Sequence, residues 1–190
     1  MKIFTTGYEL CTAITNLVIF ITTVILLSKI NNKKWKIFYY FILIDSFLGI
    51  IIHGIKMSQT VNDILWIILL ILFSITFNLL LHIFCNTKIK NVIIISIVLF
   101  ILLLFELLSK LDYIITLLTY ALIVVLICLY KQIKNNNKNK YYFITGIIIQ
   151  LLGVIPIYLK LSIGIYNYNC ICHTFTLITI ILFYLGLKKE

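Results

Sequence analysis

Long runs of Ile, Leu, Phe and Val fill almost the whole chain, each separated from the next by a short polar linker. Crossing the hydrocarbon core of a bilayer takes about 20 apolar residues, within a range of roughly 17–25. Seven runs have that size: 8–28, 36–55, 63–85, 91–109, 112–131, 141–159 and 166–187. Only helices and closed barrels satisfy their backbone in lipid, and the runs lack the two-residue alternation of barrel strands. The pattern therefore predicts an all-α, polytopic membrane protein of seven transmembrane helices, a single integral membrane domain over 1–190. Residues 91–131 are too long for one span, and Glu106, Ser109, Lys110 and Asp112 at their middle predict a tight helical hairpin. Pro156, the single proline, predicts a kink in span six.

Composition agrees. Hydrophobic residues make up 63% of the 190 residues and charged ones 12%, with a mean hydropathy of +1.14; a soluble domain carries about 25% charged residues. The net charge of +10 comes from 16 basic residues, all of them lysines. Nearly all fall between the apolar runs, where membrane topology places them, so no nucleic-acid partner is expected and membrane lipids are. The linkers after spans one, three and five and the C-terminal tail hold twelve lysines; the other side holds Lys2, Lys56, Lys110 and Lys160. By the positive-inside rule the N-terminus is outside and the C-terminus inside. The N-terminal run continues as a full span with no small-residue cleavage site, so no signal peptide is expected. The Asn/Lys/Ile-rich composition suggests a bacterial plasma membrane.

Polar groups within the spans then need a reason, because an ionisable residue near the bilayer centre costs at least about 2.5–3.5 kcal/mol. Glu9 begins span one, Asp45 lies mid-way along span two and His53 near its outer end, Asp63 opens span three, and Asn169 and His173 occupy the first turns of span seven. Glu9, His53, Asp63, Asn169 and His173 thus share one outer layer. Asp45, Gly49 and His53 follow i, i+4, i+8 spacing, Asn169 and His173 are i, i+4, and Glu9, Thr12 and Asn16 form a similar stripe. Three such stripes facing inward would build an acidic and imidazole-bearing pocket open to the outside. Plainer roles exist for each: Glu9 suits a helix N-terminus, Asp63 beside Asn62 suits a cap on span three, and Asn169 suits helix–helix adhesion. The five cysteines, odd in number and scattered through apolar sequence, imply no disulfide framework. Cys170 and Cys172 cannot share one helix face.

In order and spacing these residues resemble the CREST superfamily, the seven-helix membrane proteins that include alkaline ceramidases and progestin/adiponectin-type receptors. Helix two ends in GIIIHG, placing His53 where that family has its first zinc histidine; Asp63 in NDILW falls at its acidic position; NCICH places Asn169 and His173 on its helix-seven pair. The resemblance implies a seven-helix fold with an outer N-terminus and a zinc site, with His53, His173 and Asn169 as metal ligands and Asp63 as catalytic base. Glu9, Asp45 and Asn16 would line the pocket. Gly49 stands where the family has a serine and Asn169 where it has a histidine. Catalytic zinc usually takes three ligands of His or carboxylate type, so these departures favour a non-catalytic binding or sensing relative with a lipid or small-molecule ligand. The alternative is a zinc-dependent lipid amide hydrolase. A third reading, a membrane cysteine peptidase, uses His82 and Cys85 near the inner face.

Overall fold

Two of the helices start where a polar side chain can cap them. The Asn32 side chain accepts from the amides of Lys34 and Trp35, and Ser58 accepts from that of Val61. The computed structural model describes residues 9–108 and 113–188, with side chains over 9–105 and 119–188. Within those residues the helices are α1 Leu10–Leu27, α2 Lys33–Gly54, α3 Gln59–Phe84, α4 Ile89–Leu108, α5 Tyr113–Ile133, α6 Lys140–Leu152, α7 Val154–Leu159 and α8 Tyr168–Lys188. Among them no strand forms beyond a single bridge, Ile163 to Tyr166. The bend expected between spans four and five, at Ser109, Lys110 and Asp112, lies outside the described residues, as does the start of span one before Glu9.

The kink expected at Pro156 is a break one turn earlier. Pro156 has no N–H for the Leu152 carbonyl, and its ring would clash with that group. The helix accordingly stops at Leu152, passes through Gly153 and restarts, with Pro156 in the first turn of α7, where no amide is required. Together α6 and α7 make one 20-residue crossing, Lys140–Leu159. With this pair counted once, the described residues form seven helices. Five, α1, α2, α3, α6–α7 and α8, are long and apolar enough to cross a membrane, and α4 and α5 add the apolar stretches Ile89–Phe105 and Thr119–Ile133.

Helix α1 packs between α2 and α8; α2 lies on α3, α3 on α4 and α5, α5 on α6, and α6 on α8. The first and last helices therefore meet. The outer surface is apolar where that of a water-soluble bundle is polar, and polar side chains join apolar ones inside. Helix α1 buries Thr12, Asn16 and Thr23 while exposing Leu10, Ile14, Leu17, Val18, Ile21, Val24 and Ile25. A helix in water does the reverse; in lipid the apolar face turns outward and polar groups find partners inside.

An aromatic knot closes the lysine-rich end. The Trp35 ring stacks on Phe143 at 5.4 Å and meets Phe84 and Phe183 edge-on at 5.5 and 5.4 Å. This joins the starts of α2 and α6 to the ends of α3 and α8. In the same layer Lys34 Nζ donates to Asn86 Oδ1 at 2.6 Å. An open depression lined by Val24, Leu27, Ser28, Lys36, Tyr40 and Leu43 also lies towards this end. The candidate site is at the other end.

Candidate functional site at the end away from the lysines

Glu9 is the residue on which four segments converge. It caps α1 from extended backbone, and its own amide donates to the carbonyl of His53 at 2.8 Å. That carbonyl belongs to the last turn of α2, where helical carbonyls have no partner of their own. The Glu9 Oε2 atom accepts from Thr12 Oγ1 at 2.7 Å, Asn167 Nδ2 at 2.9 Å and Asn169 Nδ2 at 3.0 Å, and lies 3.8 Å from His53 Nδ1. Burial works against ionisation of this carboxyl. The hydrogen bonds from Asn169 and Thr12, the pull of a protonated His53 and the bond from Asn167 outweigh it and hold Glu9 below its ordinary value.

His173 sits one turn further along α8, and its Nδ1 is 3.1 Å from Thr15 Oγ1. Thr15 has one hydroxyl hydrogen, directed to the Thr12 carbonyl at 3.0 Å. The Thr15 hydroxyl thus lies between the Thr12 carbonyl and the His173 ring. The His53 and His173 rings are 6.5 Å apart, and Trp66 meets His53 edge-on at 5.7 Å.

Between the Glu9 clamp and the His173 level, Cys11 and Cys170 are joined by a disulfide, with Cα atoms 6.1 Å apart. This corrects the expectation from the sequence: the two cysteines staple the first helix to the last rather than acting as separate apolar residues. The Cys170 amide donates to Asn167 Oδ1 at 2.8 Å, so the staple and the Glu9 clamp share a partner.

The other expected residues are divided. Asp63 is no cap, because Ser58 takes that role. It lies inside α3, 8% exposed, and accepts from Gln59 Nε2 at 2.7 Å. Asn16 fills space rather than lining the rim: its amide donates to the Thr12 carbonyl at 3.1 Å and packs on Gly49, where a Cβ would lie 2.6 Å from its nitrogen. Asp45 is not at the rim. It is buried between α2 and α3 with Oδ2 2.9 Å from Thr76 Oγ1. Asn169 directs its amide nitrogen to Glu9, which leaves only Oδ1 for any metal. Among the described residues no three His, Cys, Asp or Glu side chains are grouped to hold an ion; His53, His173 and Glu9 are the groups drawn together at the rim.

Sequence reasoning missed Thr15, Asn167 and the Cys11–Cys170 bond. The signal for the last was depth, since Cys11 is two residues from Glu9 and Cys170 adjoins Asn169. Helices that bury polar groups and turn apolar faces outward, with a polar clamp at one end, define an integral membrane protein. The chain belongs to DUF6962, a family of unknown function whose family model matches residues 11–190. No curated protein and no solved structure matches the chain.

Proposed function

We propose that the chain is a non-catalytic membrane binding or sensing protein of the plasma membrane, with Glu9, His53 and His173 at its outer rim. The observation that carries this reading is the commitment of Glu9 Oε2 to three hydrogen bonds, two of which, from Asn167 and Asn169, tie the start of α1 to the start of α8. Donors gathered on one carboxylate oxygen suit a clamp that holds helix ends together. Thr12, Asn167 and Asn169 form a donor set for a carboxylate. An incoming anion, a carboxylate or a phosphate headgroup, fits the same donors and releases Glu9 towards His53. A ligand that exchanges with Glu9 shifts the balance between closed and open rims. The lysine bias favours an outward-facing rim, and so does the disulfide, because disulfides persist on the oxidising side of a membrane.

The second reading, a CREST-like zinc-dependent lipid amide hydrolase, draws on the approach of His53 to His173, with Asp63 as base. The peptidase reading has less behind it: His82 gives its Nδ1–H to the Thr87 carbonyl, a bond that finishes α3. Metal content of purified protein, with His53→Ala and His173→Ala beside wild type, separates the first two readings. A metal-free wild type whose melting temperature rises with inorganic phosphate or phosphatidylglycerol micelles supports binding. Stoichiometric zinc absent from both variants supports the hydrolase.

A further inference from the structure

Asp45 belongs to neither end of the protein. It lies mid-way along α2, 7% exposed, its Oδ2 2.9 Å from Thr76 Oγ1, and its Oδ1 has no hydrogen-bond partner. Thr76 Oγ1 is also 2.9 Å from the Leu72 carbonyl, the ordinary bond of a helical threonine to the residue four back. A hydroxyl has one hydrogen. If that hydrogen serves Leu72, the hydrogen between Thr76 and Asp45 must come from the carboxyl.

Among the described residues no basic side chain is paired with this carboxyl. On its own helix the nearest basic group is His53, eight residues away, or about 12 Å at about 1.5 Å per residue. On α3, Asp63 is about 20 Å from Thr76 along the axis and His82 about 9 Å. Glu9, the acidic group beside α1, sits at the His53 level. Tyr39 directs its hydroxyl to the Ile180 carbonyl, and Tyr40 is exposed.

We infer that Asp45 is a proton-binding site in the membrane interior, loaded at neutral pH and donating its hydrogen to Thr76, so that the bound proton pins α2 to α3. This site is separate from the rim and does not depend on what the rim binds. The carboxylate takes up one proton and becomes a neutral acid. The O–H then bonds to Thr76, whose own hydrogen stays on Leu72.

Infrared difference spectra of reconstituted full-length protein test this. At neutral pH, wild type minus Asp45→Asn is expected to show one protonated-carboxyl carbonyl band that shifts in heavy water. Thr76→Val, which keeps the acid and removes its acceptor, is expected to retain that band at higher frequency. The chain has six carboxyl side chains, so the difference isolates this one. Folded wild type and Asp45→Asn with the same carbonyl region overturn the proposal, as does a band seen only on acidification in sodium-free medium. Should Asp45→Asn fail to fold, a Thr76→Val spectrum identical to wild type overturns it alone.

Discussion

Glu9 and His53 meet twice, once through the backbone at 2.8 Å and once through side chains at 3.8 Å. The first contact docks the start of α1 on the end of α2 whatever the side chains are. The second depends on charge, and the hydrogen bonds from Asn167 and Asn169 to Oε2 extend it to the start of α8. Side-chain substitutions at Glu9 therefore act on the clamp and leave the α1–α2 junction in place.

Glu9→Gln keeps an acceptor and removes the charge, so a loss of about 1 kcal/mol is expected. Glu9→Ala leaves Thr12, Asn167 and Asn169 without their acceptor and is expected to cost more, about 1–3 kcal/mol. Asn169→Ala made in the Glu9→Ala background adds little, because the bond is already gone. Thermal melts of wild type, the two Glu9 variants, Asn169→Ala and the double variant in one detergent measure this; additive losses would separate Asn169 from Glu9.

Acidity acts on the same clamp. The folded protein holds the Glu9 carboxyl below its ordinary 4.5, so ionised Glu9 stabilises the fold fully at neutral pH. That contribution declines as pH falls through 4.5 and is gone below the depressed folded value. The gap in melting temperature between wild type and Glu9→Gln is expected to close on the acid side. A gap that widens there contradicts the assignment.

The Cys11–Cys170 bond spans 159 residues of sequence and brackets the solvated loop 134–140. Proteolysis within that loop is expected to give two fragments that migrate as one species without reductant and separate with it. Cys11→Ser or Cys170→Ser abolishes the joined species and lowers stability by about 2–5 kcal/mol, with preinserted helices favouring the lower figure.

Gly49 is small because Asn16 lies on it. Gly49→Ala drives a methyl group into the Asn16 amide, an overpacking expected to cost about 1–3 kcal/mol. Adding Asn16→Ala is expected to recover part of the loss. Melting of both variants decides the point, and a double variant no better than Gly49→Ala counts against the contact.

Membrane helices were legible because lipid demands long apolar runs and lysines mark the loops between them. Depth put Glu9, His53, Asp63, Asn169 and His173 in one layer, and the structure brings Glu9, His53, Asn169 and His173 near one another. Azimuth was not legible. Asp45 and His53 share a spacing, but two turns of helix carry Asp45 from the rim to α3. Asp63 resembled a cap because it follows Asn62, yet Ser58 starts the helix earlier. The Asn167 contact needed the turn before α8, where Gly164 adopts the left-handed backbone at φ 61° and reverses the chain. No periodic pattern encodes such a turn. The disulfide escaped because it joins the two ends of the sequence, a pairing that only the closure of α8 on α1 brings about.

The account rests on Glu9, His53 and His173 sharing an outward-facing rim. Single cysteines at Lys56 and Lys160, beside that rim, and at Lys29 and Lys134, beyond the other end, can be placed in a protein lacking Cys85, Cys128 and Cys172. Treated in intact cells with a membrane-impermeant maleimide, positions 56 and 160 are expected to label at once, and 29 and 134 only after permeabilisation. Labelling of 56 and 160 from opposite sides, or of 29 and 134 from outside, would contradict the account.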